Sequence, residues 1–155
     1  MEKTIKADRY LRIYGQLCKL ISKTLDPIAR MATICAVLHH KFDYYYWTGF
    51  YRLLNDELIV VCYQGPLACL VLTAHTGVCW ASIDEQQIQI VPDVNQFPDY
   101  IACDTRSLSE ITVPVYDRKE QIAAVFDIDS RQLSAFDEID AEWLEKIVTL
   151  IYEKD

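Results

Sequence analysis

Tyr44-Tyr45-Tyr46-Trp47-Thr48-Gly49-Phe50-Tyr51-Arg52-Leu53, then Asn55-Asp56, then Glu57-Leu58-Ile59-Val60-Val61-Cys62-Tyr63, is the stretch that decides the fold. Aromatic and β-branched residues dominate both halves, and the Asn-Asp pair between them suits a turn, so the stretch predicts a β-hairpin. Upstream of it the pattern is helical. Between Ala7 and Ser22, Tyr10, Leu11, Ile13, Tyr14, Leu17, Cys18, Leu20 and Ile21 recur at helical spacing. Asp26 followed by Pro27 supplies an N-cap and a first-turn proline for a second helix through Ile28, Met31, Ile34, Cys35 and Leu38. His39, His40 and Lys41 close that helix and suit its negative end.

Downstream, Gly65-Pro66 breaks the second strand, Leu67 to Thr73 offers a further strand, and Val78 to Ile83 is drawn as a short helix or turn. Gln87 to Val91 is a short strand candidate. Two prolines, Pro92 and Pro98, then mark a surface excursion, a common seat of function. Glu110 to Tyr116 and Gln121 to Asp129 flank Asp117-Arg118-Lys119-Glu120 as a second hairpin, and an apolar stripe from Ile139 to Ile151 makes the last helix. Helix, helix, antiparallel strands with one long interrupted crossing, then helix is an α+β order: a central antiparallel sheet with the N- and C-terminal helices on one face. The irregular Leu67 to Ser109 stretch is left to cover a pocket on the other.

The chain of 155 residues is expected to be one domain, 1–155. A net charge of −8 and a pI near 4.8 oppose nucleic-acid binding, which needs a basic face for the phosphates. No apolar run reaches the length of a membrane span, and the N-terminus lacks the pattern of a secretory signal, so the expectation is cytoplasmic, with no membrane partner. Six cysteines are too few for a disulfide scaffold of this length. In a reducing compartment, conspicuous thiols point instead to catalysis, redox chemistry or metal binding.

Cys103 is the most conspicuous of them. It lies in Pro98-Asp99-Tyr100-Ile101-Ala102-Cys103-Asp104, at the end of the excursion, with Glu110 close behind. Cys69 and Cys79 lie upstream of it, and Asp127 and Asp129 follow on one face of a strand by its period of two. Cys18, Cys35 and Cys62 sit on apolar stripes or in a strand and read as core filler. Zinc is the competing use of Cys69, Cys79 and Cys103, with His75 as fourth ligand, but no Cys-x-x-Cys knuckle is present and no metal is expected.

The strings Tyr46-Trp47-Thr48-Gly49-Phe50-Tyr51, Gln64-Gly65-Pro66-Leu67-Ala68-Cys69, Gly77-Val78-Cys79, Ile101-Ala102-Cys103-Asp104, Ser109-Glu110-Ile111 and Phe126-Asp127-Ile128-Asp129-Ser130 resemble the free methionine-(R)-sulfoxide reductases, compact members of the GAF fold. The resemblance spans nearly the whole chain. It implies a pocket for one free amino acid, with Cys103 as nucleophile, Cys69 as the main resolving cysteine and Cys79 as an auxiliary one. Glu110, Asp127 and Asp129 then hold the substrate ammonium and assist at the sulfoxide oxygen, and Trp47 and Tyr51 wall the methyl-sulfoxide end. The implied partners are free methionine sulfoxide and thioredoxin or a similar dithiol, without any cofactor. GAF domains often pair through their helices, so a homodimer is also among the partners implied. Two departures from the family pattern stand out: Trp80 follows Cys79 where a glycine is usual, and Asp99-Tyr100 replaces Gly-His.

The chemistry fits the residue types. Sulfoxide reduction needs a soft nucleophile at sulfur and an acid at oxygen, which a thiolate and a protonated carboxyl supply. Three acids crowded in one pocket cannot all ionise cheaply, so one should keep its proton; the resemblance, together with the separation of Glu110 from the Asp pair, implies that it is Glu110, with the Asp pair reading the ammonium. The alternative is a GAF sensor of a small ligand or of redox state, without turnover.

Overall fold

The structure, a computed structural model, describes residues 1–154; Asp155, the end of the expected 1–155 domain, lies outside the described residues. Helix α1 spans Lys3–Ile21 and buries Lys6, Tyr10, Ile13, Leu17 and Ile21. It begins a turn before the expected start at Ala7 because Lys6, a charge, occupies a core-facing position that hydrophobic periodicity does not register. Helix α2 (Pro27–His39) starts as expected, with the Asp26 carboxylate accepting the Ala29 N–H at 2.8 Å. On its buried face, Arg30 donates to the carbonyls of Thr24, Leu150 and Glu153 and ties α2 to the chain's end.

The hairpin is β1 (Trp47–Leu54) and β2 (Glu57–Gln64), joined through Asn55 and Asp56 at φ 51° and 60°. Two successive left-handed residues are what a two-residue hairpin turn of matching twist requires. Strand β1 starts three residues later than expected. Tyr44 and Tyr45 turn inward instead, packing with Phe42 and Phe136 under the helices. A bulge between Phe50 and Tyr51 leaves Val61 as the extra residue on β2, so that Val61 and Cys62 both face the helices while Tyr63 faces the other side.

Of the strand expected over Leu67 to Thr73, only β3 (Val71–Leu72) forms. Helix α3 covers Gly77–Glu85, β4 Gln89–Val91, and a single 3-10 turn interrupts the excursion at Val94–Gln96. The second hairpin is β5 (Ser109–Tyr116) with β6 (Ile122–Ser130), and α4 (Glu138–Thr149) closes the chain behind an Asp137/Asp140 capping box. All strand pairs are antiparallel, in the order β3-β2-β1-β6-β5-β4. Among the described residues no helix is long and apolar enough to cross a membrane.

Alternation along β5 and β6 divides the molecule. Ile111, Val113, Val115, Phe126 and Ile128 join the α1/α2/α4 core on one face. On the other, a smaller cluster of Trp47, Tyr51, Leu58, Cys79, Trp80, Ile83 and Val125 packs beneath α3. This α+β arrangement, helices on one side and a covered pocket on the other, is the expected one.

Candidate active site

The pocket floor is laid by strand register. Glu110 on β5 pairs with Asp129 on β6, which pairs on its other side with Trp47 on β1; Asp127 sits two residues along β6, opposite Gly49. Period two therefore turns Glu110, Asp127 and Asp129 to one face. Gly49 is required there. A Cβ on it would stand 2.4 Å from the Trp47 ring, so its absence lets the indole lie across the hairpin, stacked on Tyr51 (5.7 Å) and Tyr63 (5.4 Å). The indole N–H donates to the Pro66 carbonyl at 3.1 Å, fixing the start of the Cys69 loop. Trp47 and Tyr51 thus both line the pocket, with the three acids and Cys79.

The roof consists of two loops joined covalently: Cys69 and Cys103 form a disulfide across 34 residues of sequence. The Cys103 loop is anchored beside it. Asp104 accepts from Arg106 Nε (2.9 Å), Arg106 Nη2 (2.8 Å), the Arg106 backbone N–H (2.9 Å) and the Tyr46 hydroxyl (3.0 Å). These donors hold its carboxyl well below the usual range. Arg106 and Arg131 both stack on the Tyr46 ring, so the loop is pinned to the entry of β1.

In the floor the charges are organised very differently. Burial pushes Glu110 well above its ordinary value, and the neighbouring Asp127 and Asp129 and the hydrogen bond to Asp127 push it further. Burial raises Asp127 to about 6, held there by hydrogen bonds from Glu110 and Cys79. Asp129 is raised by burial and by the charges of Asp127 and Asp104, and Cys79 by burial and the three acids. At neutral pH, Asp127 is accordingly the ionised member, receiving protons held by Glu110 and Cys79. Its Oδ1 is buried and has no hydrogen-bond partner among the described residues. A buried carboxylate oxygen left unmatched is costly and marks the place of a missing donor.

The side chains within reach of a common cation among the described residues are Cys79, Glu110 and Asp127, whose ligand atoms lie within 4.8 Å of one another. The zinc set weighed from sequence is not assembled: Cys69 and Cys103 are bonded to each other, and His75 pairs with Asp84 at 3.0 Å. Two pocket features escaped the sequence reading. Tyr100, noted only as a departure, lines the pocket, and burial followed by the nearby charges of Glu110 and Asp129 raises its phenol. The first turn of α3 also faces the cavity through Thr76, Gly77, Val78 and Cys79. Thr76 does not cap it with its side chain, so first-turn N–H groups remain to meet an anion. The Gly77 break was the only sequence signal for that helix start.

A GAF-fold domain with a disulfide over a buried acid cluster is the class that the architecture defines. The chain is 36% identical to GAF domain-containing protein A of Dictyostelium discoideum, over 97% of this chain and 95% of the relative. It is likewise 36% identical to the free methionine-R-sulfoxide reductase of Escherichia coli, over 92% of this chain and 86% of the relative. Among solved structures, the free methionine-R-sulfoxide reductase of Neisseria meningitidis in complex with its substrate superposes with a TM-score of 0.89 at 35% identity, over 94% of this chain and 87% of that one. No protein-family model matches the chain. The chain belongs to the free methionine-R-sulfoxide reductase family.

Proposed function

We propose that this chain reduces free L-methionine-(R)-sulfoxide to methionine, with Cys103 as nucleophile, Cys69 as resolving thiol and thioredoxin or a similar dithiol as the electron source. The observation that carries the reading is the unpartnered Asp127 Oδ1 beside a protonated Glu110, in a pocket that Cys103 of the Cys69–Cys103 disulfide also lines. A free amino acid meets every unsatisfied feature of this pocket. Its ammonium supplies donors to Asp127 and Asp129, its carboxylate suits the first turn of α3, and its methyl-sulfoxide end packs on Trp47 and Tyr51. A peptide-bound methionine offers neither charge.

The Cys103 thiolate attacks the sulfoxide sulfur while Glu110 protonates the oxygen, and methionine leaves with Cys103 as a sulfenic acid. The Cys69 thiol then attacks the Cys103 sulfur, water departs, and the disulfide forms. Cys79, kept protonated by burial among the acids, is the slower, auxiliary thiol. The external dithiol returns both cysteines to thiols. The test is methionine formation from the two free sulfoxide epimers, with dithiothreitol or thioredoxin as reductant. Turnover of the R epimer that disappears in Cys103→Ser is the expected result; no turnover of either epimer, or turnover that survives Cys103→Ser, overturns the reading.

A further inference from the structure

Around the disulfide lies a surface that the core does not use. Leu67 is 84% exposed, Leu70 74%, Ile101 57% and Val71 48%; they flank Cys69 and Cys103 on the two roof loops and, for Val71, at the start of β3. Pro66-Leu67-Ala68-Cys69-Leu70-Val71-Leu72-Thr73 contains no charged residue, in a chain of net charge −8. Clustered apolar exposure of this kind is disfavoured in water unless something covers it. Strand β3 adds a second feature: it is the outermost strand of the sheet beyond β2, so its outward N–H and C=O groups beside Leu70 have no strand partner among the described residues.

We propose that the uncharged apolar surface formed by Leu67, Leu70, Val71 and Ile101 is the docking site for a protein dithiol that reduces the Cys69–Cys103 bond. The proposal rests on the redox reading above and assigns the partner's landing surface. A small thiol needs no such surface. A protein whose thiols sit in an equally apolar, uncharged face matches it in charge and polarity, and the open edge of β3 offers main-chain hydrogen bonds to an extended segment of the partner. Cys103 is exposed and Cys69 half-buried, which sets the direction of attack. A donor thiolate attacks Cys103 Sγ, the S–S bond breaks, and Cys69 leaves with the electron pair and takes up a proton. The donor's second thiol, as its thiolate, then attacks the donor sulfur of the mixed disulfide and releases Cys103 as a thiolate. The donor ends as a disulfide and the chain has gained two electrons.

Leu70 is the residue to change, because it lies outside the substrate pocket. The full chain is oxidised, and opening of its disulfide is followed by thiol titration with reduced thioredoxin or with dithiothreitol, for the unaltered chain, Leu70→Glu and Leu70→Met. Leu70→Glu is expected to slow reduction by thioredoxin tenfold or more and to leave reduction by dithiothreitol within twofold; Leu70→Met is expected to match the unaltered chain. Equal effects on both reductants, or none on either, overturn the proposal. A thioredoxin lacking its second thiol is expected to be trapped on Cys103, read by mass spectrometry of the linked peptides, and trapping on Cys69 overturns the direction of attack. The readout involves no sulfoxide. A chain without reductase turnover therefore removes the proposed function while leaving the docking surface to be judged by disulfide opening alone.

Discussion

Two buried carboxylate clusters lie on opposite faces of the same sheet, and they are built in opposite ways. Under the helices, Asp140 is 0% exposed and accepts from Lys6 Nζ (2.6 Å), Tyr10 Oη (2.7 Å), Tyr44 Oη (2.7 Å) and the Asp137 N–H (2.9 Å). In the pocket, Asp127 is 6% exposed, has two acids for neighbours, and keeps one oxygen without a hydrogen-bond partner among the described residues. The first cluster is complete as it stands and belongs to stability. The second leaves a buried carboxylate oxygen unmatched, so the fold bears a local cost there, which the proposed function assigns to a substrate ammonium.

Breaking the completed cluster carries the largest expected effect. Asp140→Ala leaves the Lys6 ammonium buried with only the Asp137 carboxylate, 2.9 Å away and partly exposed, and is expected to cost roughly 3–5 kcal/mol in urea unfolding. A loss below about 1 kcal/mol means that the cluster is not holding α1 to α4. Next comes the pocket acid. Glu110→Gln keeps a hydrogen-bond donor for Asp127 but cannot transfer the proton, so kcat is expected to fall by about 10²-fold or more with KM changed far less, and the limb of the pH–rate profile that reports the protonated acid should vanish. A fall in kcat/KM carried by KM alone would move Glu110 from acid to substrate anchor.

Smaller effects separate the clusters further. Tyr44→Phe removes one of Asp140's donors and is expected to cost about 1.5 kcal/mol in the same unfolding experiment, with activity retained. Asp127→Asn is expected to do the reverse, stabilising the ligand-free chain at pH 7 by on the order of 1 kcal/mol while weakening substrate binding. The sign follows from burial, which raises the Asp127 carboxyl from 3.8 to about 6 in the folded chain. Its contribution to stability is full below pH 3.8 and is lost as pH rises through about 6. Urea midpoints from pH 4 to pH 8 should accordingly show the advantage of Asp127→Asn growing up to about pH 7 and then levelling. An advantage that shrinks over that range would mean that Asp127 is paired in the folded chain after all.

The same contrast explains what was legible in the sequence. Asp26-Pro27 announced α2 because a cap and a first-turn proline act within four residues. Asn55-Asp56 announced the hairpin because both residues tolerate the left-handed backbone. The shared face of Asp127 and Asp129 followed from a period of two. Lys6 and Asp140 stayed hidden, since a charge on a core-facing helix position looks like an error in the apolar pattern until its partner, more than a hundred residues away, is placed beside it. Tyr44 and Tyr45 have the composition of a strand, but their hydroxyls are held beneath the helices by partners from α1 and α4. Leu67 to Thr73 has the composition of a strand, yet most of it lies in a roof loop with Leu67 and Leu70 in solvent.

The sequence by itself determined the order of the elements, the α+β class and the family, and it named the candidate site residues, because caps, turns, periods and short strings are local properties. Only the tertiary structure decided that Asp127 is the acid left ionised, which of its oxygens is left unpartnered, that the loops of Cys69 and Cys103 are joined over the pocket, and that the apolar residues around them face water. Each of these depends on burial and on distances between segments far apart in the chain, and neither quantity is written in any one stretch of it.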